Sequence, residues 1–348
     1  MRLLMITRKV DRKDTSPAGF TYTWVKKIGE KLDKLYVITW QKSNRGDLSK
    51  NIEIESLSGN KIKKVFSLWI KLLKILPKIN GIFCHQNPEY TILSAPYAKL
   101  FRRRLISWYT HKAVNWKLHL VNLLTDKILT ASEESCRLKN RRKIKVTGHG
   151  IDADYFSPVI ASTSHLLSTG STKQSCEKFK IISVGRISPA KDYETLIEAV
   201  SNMRNIEVEI IGGPVLKKDK EYFQNLKQLA GNVKFLGPIP HNQILSHYQN
   251  CDLFINLSQT GSVDKVVLEA MACQKLVLTC NEAFIDILDD QRLIFEKKNP
   301  RDLAKKIIDL MNLSQEEKEK IGQQLRNIVV KNHNLDKLVE KILTFYAK

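Results

Sequence analysis

Residues 253–280 give the strongest structural signal in the chain, because their pattern predicts a strand, a turn, a helix and a second strand in succession. The helix runs through Glu269, and residues 275–280 return as a buried strand. A turn from a strand's carboxyl end into a helix presents backbone N–H groups and the positive end of the helix dipole, which favour a phosphate. Glu269 lies about two helical turns after Ser262, so both can face the same side. The stretch therefore predicts phosphate at the helix tip and a sugar-binding carboxylate behind it, which is half of a nucleotide site.

Length and composition describe an ordinary globular chain. With 348 residues it is long enough for two domains with complete cores, and its fractions of 43% apolar and 27% charged residues are typical of such proteins. No apolar run approaches the roughly 18 residues of a membrane span, and no signal peptide is recognised, so we expect a cytoplasmic protein. The spacing of the cysteines matches neither a disulfide framework nor a metal-binding motif, so we expect buried free thiols. They are Cys84, Cys136, Cys176, Cys251, Cys273 and Cys280.

The net charge of +21 belongs almost wholly to the first half of the chain. Residues 1–150 hold 31 Lys and Arg against 11 Asp and Glu, a net charge of +20, whereas residues 151–348 hold 26 against 25, a net charge of +1. Such asymmetry predicts an anionic partner for the first half: nucleic acid, an acidic membrane surface or a phosphorylated substrate. The alternative is a solvated, lysine-rich surface without a specific partner.

Strands alternate with helices along both halves, which predicts an α/β protein with two doubly wound parallel sheets. We expect a first domain over residues 1–158, a Ser- and Thr-rich linker over 159–177, and a second domain over 178–330 whose last strand lies near 293–296. Residues 331–348 predict a C-terminal helix that packs back on the first domain. The active site of such a pair should lie in a cleft that the carboxyl ends of both sheets face.

The predicted helix 61–76 leaves two interpretations open. As a basic amphipathic helix it could lie on an anionic membrane surface; as an ordinary surface helix it would bury its apolar face on the sheet. Its lysines are expected on the opposite side from that apolar face. The predicted apolar face consists of Ile62, Val65, Phe66, Trp69, Leu72, Leu73 and Leu76, and Leu68, Ile70 and Ile75 widen it enough to leave both interpretations possible.

A second strand–turn–helix supports the first. A buried strand ends at Gly185, Arg186 and Lys191 lie in the turn, and Asp192 is placed to cap a helix over residues 193–203. Two cations at such a turn match a diphosphate, because Arg forms a forked contact and Lys a mobile point charge. Cationic side chains in loops are usually solvated, so this turn alone is weak evidence for a diphosphate site. The predicted phosphate-binding turn in the same domain strengthens it.

With these motifs in place, the chain resembles the retaining glycosyltransferases of family four, which have the GT-B fold. The resemblance covers nearly all of the second domain and scattered parts of the first, including SWYTHK and DKILTAS. Its longest pieces are VGRISPAKDYETLIEA (184–199), FLGPIPHNQILSHYQNCDLFINLS (235–258), VVLEAMACQKLVL (266–278) and GHGIDADYFSP (148–158).

The resemblance implies an enzyme that moves a hexosyl unit from a UDP- or GDP-sugar to an acceptor hydroxyl, in the synthesis of lipid-linked glycans, polysaccharides or glycolipids. It implies no cofactor and no metal, and it is compatible with a peripheral position on the cytoplasmic face of a membrane. Binding of nucleic acid is not expected.

The resemblance also implies roles for particular residues. Arg186 and Lys191 would hold the diphosphate, Glu269 would bond the donor ribose, and His111 would lie near the transferred sugar. Catalytic roles are expected for Arg186, Lys191, Asp264 and His111. The implied donor-binding residues are Gly19, Gly185, Arg186, Lys191, Gly237, Ile239, Ser262, Val263, Asp264, Lys265 and Glu269.

One position departs from the family pattern. The first acid of the family's paired-glutamate motif lies eight residues before Glu269, where this chain has Gly261. Asp264 enters the following helical turn and is the candidate to replace that acid. The alternative is that Asp264 merely favours the helix N-terminus electrostatically.

Other interpretations have less support. The DAD motif at 152–154 resembles a metal-binding carboxylate pair, but it precedes Pro158 in a segment that a domain connection explains better. A sugar-nucleotide epimerase shares the two-domain architecture and is the alternative function. A nucleic-acid-binding protein would explain the charge, but the sequence contains no stacking platform or reading helix.

Overall fold

The computed structural model describes residues 1–16, 18–159, 178–259 and 261–347. The chain divides into two compact units. Unit 1 comprises Met1–Asp152, Pro240–Asn242 and Asn332–Lys348, and unit 2 comprises Ala153–Ile239 and Gln243–Lys331. Apart from Val159, the expected linker 159–177 lies outside the described residues, and so does Cys176.

Unit 1 is built on a parallel sheet of seven strands in the order β3-β2-β1-β4-β5-β6-β7. Most of these strands are short apolar runs, as expected for strands covered on both faces. The strand before His111 ends at Trp108, so His111 lies in the loop that follows. The strands are β1 Arg2–Thr7, β2 Lys34–Thr39, β3 Ile52–Ser56, β4 Gly81–His85, β5 Arg104–Trp108, β6 Lys127–Thr130 and β7 Ile144–Val146.

Five helices cover the two faces of this sheet. One face packs on α1 and the C-terminal α11, joined by an ion pair between Lys27 and Asp336 at 3.1 Å. The other face packs on α2, α3 and α4. Alternate strand residues point to opposite faces, so Leu129 contacts the first layer and its neighbour Ile128 the second. The helices are α1 Thr21–Glu30, α2 Lys61–Ile75, α3 Pro88–Leu100, α4 Trp116–Leu124 and α11 Leu335–Thr344.

The structure shows which side of α2 packs on the sheet. Leu68, Leu72 and Ile75 are its buried residues, whereas Ile62 and Phe66 are 68% and 57% exposed. The helix is apolar on two sides, and periodicity alone does not say which side meets the sheet. Among the described helices of the whole chain, none combines the length and apolarity needed to cross a membrane.

Unit 2 is built on a five-stranded parallel sheet in the order β10-β9-β8-β11-β12. The prediction of a further strand over 293–296 was wrong: a short 3-10 helix ends at Leu293, and only a single bridge joins Ile294 to Thr279. Both sheets nevertheless have the parallel, doubly wound character that the sequence predicted. The strands are β8 Phe179–Val184, β9 Ile206–Ile211, β10 Val233–Gly237, β11 Leu253–Asn256 and β12 Leu276–Thr279.

Helices follow the strands of unit 2, and two further helices end it. Arg326 on α10 joins this end to the start of the unit, because its guanidinium donates to the carbonyls of Ala153 and Phe156 at 3.0 and 2.9 Å. The helices are α5 Tyr193–Val200, α6 Lys217–Leu229, α7 Leu245–Gln249, α8 Lys265–Ala272, α9 Pro300–Met311 and α10 Gln315–Asn332.

Candidate active site

Two loops of unit 2 meet where the strand order of its sheet reverses. β8 lies between β9 and β11, so the chain leaves β8 toward one side of the sheet and β11 toward the other. In parallel sheets, such a reversal opens a crevice at the carboxyl ends of the two strands. The loop after β8 carries Arg186 and Lys191, and the loop after β11 leads to Asp264. The Gln259 amide donates to the Ala190 carbonyl at 3.2 Å, which ties the two loops together.

Lys191 and Asp264 form an ion pair across this crevice. The Lys191 Nζ lies 3.0 Å from Asp264 Oδ2, and both side chains are about four-fifths buried, with exposed fractions of 16% and 20%. The Asn256 side chain at the end of β11 donates to the same Oδ2 at 3.1 Å and accepts a bond from Thr279 at 3.1 Å. Asp264 precedes α8 without capping it through a side-chain bond. Its carboxylate is therefore directed toward Lys191 and Asn256.

Asp192 does not cap α5 with its side chain as expected. Its backbone is left-handed at φ 45°, and its Oδ2 accepts instead from the Thr195 hydroxyl at 2.9 Å and from Gln259 Nε2 at 3.0 Å. The latter bond is a second link between the loops after β8 and β11. Asp192 therefore shapes the crevice that holds the Lys191–Asp264 pair.

Arg186 lies beside a buried carboxylate. Its Nε is 3.9 Å from Oδ2 of Asp219, whose side chain is fully buried while that of Arg186 is 41% exposed. The same oxygen accepts the backbone amides of Val215 and Leu216 at 3.3 and 3.0 Å at the start of α6. Arg186 therefore has its guanidinium partly in solvent and its Nε near a fixed negative charge.

Close backbone approach shapes the rest of the β8 turn. A Cβ on Gly212, at φ 143°, would lie 1.8 Å from the Gly185 carbonyl oxygen, so no other residue fits there. The Gly212 amide donates to the Gly237 carbonyl at 2.9 Å, and Gly237 is left-handed at φ 77°. Gly185 and Gly237 thus both lie against Gly212. Ile239, two residues after Gly237, is half-buried.

The tip before α8 is held by an asparagine from the next loop. Asn281 Nδ2 donates to the Ser262 carbonyl at 2.8 Å. Because the peptide is planar, this bond also fixes the direction of the Val263 N–H, which points opposite to that carbonyl. Gly261 has φ 63°, a conformation that disfavours a glutamate. Gly261, where the resemblance leads one to expect an acid, therefore lies in a left-handed turn.

Glu269 is buried and bonded to a tyrosine. Its side chain is 3% exposed, and Tyr248 on α7 donates to its Oε2 at 2.9 Å. Burial, with the nearby carboxylate, raises the pKa of Tyr248 well above its usual range, so its hydroxyl remains a donor. Burial lowers the pKa of Lys265 well below its usual range, and Glu269 partly offsets this effect. The arrangement keeps an acceptor carboxylate one turn into α8.

Gly19 and His111 belong to unit 1. Gly19 is enclosed by its own turn, since a Cβ there would lie 2.5 Å from the Asp14 carbonyl oxygen. His111 is exposed, and its Nδ1 accepts the Ala113 amide at 3.0 Å. The other predicted site residues all lie in unit 2. Within the described ranges, no three His, Cys, Asp or Glu side chains are grouped so as to hold a metal ion.

Sequence reasoning missed four residues that support the site. Asn256 and Asn281 had a detectable signal, because each follows or ends a buried strand at the edge where the site lies. Asp219 and Tyr248 had none, because their partners Arg186 and Glu269 are distant in sequence.

Part of the chain is similar in sequence to known glycosyltransferases. Residues 170–328 match the family model described as "Glycosyl transferases group 1". An uncharacterized glycosyltransferase of Methanocaldococcus jannaschii is 28% identical over 143 residues, which is 40% of each chain. The D-inositol 3-phosphate glycosyltransferase of Mycolicibacterium smegmatis is 30% identical over 139 residues, 38% of this chain and 31% of that protein. The match thus spans well under half the length of these relatives.

The fold comparison extends over the whole chain. The crystal structure of Anabaena HepE in complex with UDP and glucose superposes with a TM-score of 0.78, covering 100% of both chains at 16% sequence identity. At that identity the similarity establishes the fold alone. The chain therefore has the GT-B fold, and its residues 170–328 are similar to the glycosyl transferases group 1 family.

Proposed function

We propose that the protein is a retaining hexosyltransferase of the family-four type, which moves a hexosyl unit from a UDP- or GDP-sugar to an acceptor hydroxyl. The observation that carries the proposal is the crevice between β8 and β11, where Lys191 is paired with Asp264 just before α8. Arg186 lies in the same loop as Lys191, and Glu269 is buried on α8. These groups have the chemistry that a nucleoside diphosphate requires: cations and backbone amides for phosphates, and a carboxylate for ribose hydroxyls.

The donor is proposed to bind with its diphosphate at Arg186 and Lys191, its ribose on Glu269 and its base near Gly237 and Ile239. Lys191 would exchange its contact with Asp264 for a phosphate oxygen. HepE, whose structure contains UDP and glucose, has the same fold, which is consistent with such a donor.

For the reaction, the barrier is charge separation, since the sugar becomes oxocarbenium-like as the diphosphate leaves. Arg186 and Lys191 would stabilise the leaving group electrostatically, commonly the largest catalytic contribution. Attack is proposed from the face that the diphosphate leaves, with a donor phosphate oxygen accepting the acceptor's proton, so that the anomeric configuration is kept. Asp264 and His111 are proposed to contact the transferred sugar, and no metal has a role.

The acceptor is proposed to be an anionic or lipid-linked glycan bound by the basic unit 1. The net charge of +20 over residues 1–150 favours such a partner. The name of the M. smegmatis relative, a D-inositol 3-phosphate glycosyltransferase, describes a phosphorylated acceptor for that protein. We propose a cytoplasmic protein that works at the membrane surface where such acceptors reside.

The test is transfer itself. The full chain is incubated with UDP- or GDP-hexoses and a phosphorylated or lipid-linked acceptor, and the product's anomeric configuration is read by NMR. The proposal expects acceptor-dependent release of nucleoside diphosphate and a product that keeps the donor's configuration. An inverted product would refute the retaining mechanism, and a rearranged free nucleotide sugar formed without acceptor would identify the epimerase instead.

A further inference from the structure

The α2–α4 layer, residues 61–124, has an outward side that is exceptionally apolar for a protein surface. On α2, Ile62, Phe66, Ile70 and Leu73 are between 47% and 68% exposed. They recur at intervals of four, four and three residues, so they form one continuous ridge along the helix. This ridge is separate from the stripe that α2 buries on the sheet.

The same character continues across the layer. Trp116 and Leu123, seven residues apart on α4, are 66% and 72% exposed. On the opposite face of the unit 1 sheet, α1 and α11 expose no large hydrophobic side chain among the described residues. Their outward positions carry charges of both signs instead, as Lys26, Glu30 and Lys337 show. Scattered apolar exposure is ordinary, but its concentration on one layer indicates a contact surface.

The charge of the layer is equally one-sided. Residues 57–125 contain 12 Lys and Arg but one acid, Glu89, whose carboxylate is paired with Lys117 at 2.5 Å. Lys63 and Lys74 are exposed beside the apolar ridge of α2. Apolar and cationic groups therefore share one surface with almost no opposing charge.

A surface groove beside α2 combines both chemistries. Its volume is about 430 Å³, and its lining includes Phe66 and Ile70 together with Lys63 and Lys74. Glu55 at its edge is ion-paired with Lys71, so its charge is compensated. An apolar wall next to ammonium groups matches an anionic lipid, whose acyl chain adjoins a phosphate headgroup.

We infer that the α2–α4 layer docks on an anionic lipid bilayer, with the ridge of α2 and Trp116 entering the acyl boundary and the lysines contacting headgroups. Amphipathic helices with this composition lie in the membrane interface, and each nearby Lys strengthens binding to an anionic surface. The inference specifies the surface for the membrane position proposed above, and it depends on unit 1 alone rather than on donor binding.

Vesicle flotation of the full chain tests the inference. Vesicles of phosphatidylcholine alone are compared with an equal mixture of phosphatidylcholine and phosphatidylglycerol. We expect flotation with the anionic mixture and little with the neutral lipid. Lys63→Gln with Lys74→Gln should weaken binding to the mixture about thirtyfold, and Phe66→Ser with Ile70→Ser about a hundredfold.

Matched variants control for charge and hydrophobicity. Lys26→Gln with Lys337→Gln removes the same charge from the opposite helix layer and should leave flotation unchanged. Leu229→Ser with Ile308→Ser removes exposed apolar side chains of unit 2 and should do likewise. All altered side chains are exposed, so melting temperatures should remain near that of the wild type.

Three outcomes would overturn the inference: no flotation with either lipid, equal binding to neutral and anionic vesicles, or equal losses in the layer and control variants. Sedimentation identifies a second copy of the chain as the occupant if the Phe66 and Ile70 changes dissociate an oligomer without affecting lipid binding.

Nucleoside diphosphate titration on the same variants separates this inference from the proposed function. If the wild type binds no nucleoside diphosphate, the proposed donor site is refuted, but the conclusion on lipid binding is unaffected.

Discussion

At the scale of single residues, the ion pair between Lys191 and Asp264 is the most informative contact in the candidate site. The same lysine that is proposed to hold a diphosphate is bonded to a carboxylate at 3.0 Å. Under the proposed function, the donor diphosphate would compete with Asp264 for Lys191. Gly261 is left-handed at φ 63°, so a glutamate side chain at that position would be strained in this backbone conformation.

Asp264→Asn tests this exchange. Removing the competing charge should tighten binding of the nucleoside diphosphate, by about tenfold if one charge-assisted hydrogen bond of roughly 1.5 kcal/mol is released. If Asp264 also contacts the transferred sugar, hexosyl transfer should fall at the same time. Titration calorimetry and a transfer assay measure the two effects. Asp309→Asn, an exposed change on α9, should alter neither. Unchanged transfer in the Asp264 variant would reduce the residue to an electrostatic role at the start of α8.

At the scale of secondary-structure elements, α7 and α8 are joined by the Tyr248–Glu269 hydrogen bond of 2.9 Å, in which both side chains are buried. Under the proposed function, this bond orients the carboxylate toward the donor ribose. A purely structural bond would affect stability but would not affect how the site distinguishes one sugar from another.

Tyr248→Phe separates those two roles. Leaving the buried carboxylate without this donor should cost about 1–3 kcal/mol of stability. The preference for the ribose over the 2′-deoxyribose form of the bound nucleoside diphosphate should also fall, which competition binding measures. Tyr222→Phe provides the matched control, since Tyr222 donates to Glu194 in the same unit. If the Tyr248 variant keeps the full ribose preference, then the hydrogen bond has no part in donor recognition.

Elements were predictable from the sequence where the pattern of apolar residues leaves one interpretation of their burial. Strands such as Leu253–Asn256 and Leu276–Thr279 are apolar on both faces, so continuous apolar runs identified them. The apolar run at 293–296 has the same appearance but forms a single bridge, because run length alone does not establish pairing. For α2, two apolar sides left the buried face undetermined. Long-range partners such as Tyr248 carry no local signal.

At the scale of the whole molecule, the C-terminal segment is part of the first unit. His333, which is 6% exposed, follows α10, and its Nδ1 accepts the His149 backbone N–H at 3.0 Å. The next residues form α11, which packs on α1. Protonation of the buried His333 is therefore expected to destabilise unit 1.

The pH dependence has a definite sign. Burial lowers the pKa of His333 from 6.5 to about 4, so between these values the unfolded chain binds the extra proton and the folded chain does not. His333 therefore contributes stability above pH 6.5 that is lost as the pH falls toward 4. The loss between pH 7 and 5 should be about 2 kcal/mol.

Urea unfolding of the wild type and of His333→Gln at pH 7 and 5 measures this contribution. The variant should lack that share of the pH dependence, whereas His119→Gln, at an exposed position, should retain it. Equal pH dependence in the wild type and the His333 variant would show that other groups cause the acid sensitivity.

The central claim, that unit 2 holds a nucleoside diphosphate at Arg186 and Lys191, is tested most directly by calorimetric titration of UDP and GDP. The wild type should bind one of them, and Arg186→Gln with Lys191→Gln should weaken that binding about a hundredfold or more, since two charge-assisted contacts are lost. Arg301→Gln with Lys305→Gln removes the same charge from exposed positions on α9 and should bind like the wild type. Wild-type affinity in the Arg186 and Lys191 variant, or no binding of either nucleotide by the wild type, would contradict the account.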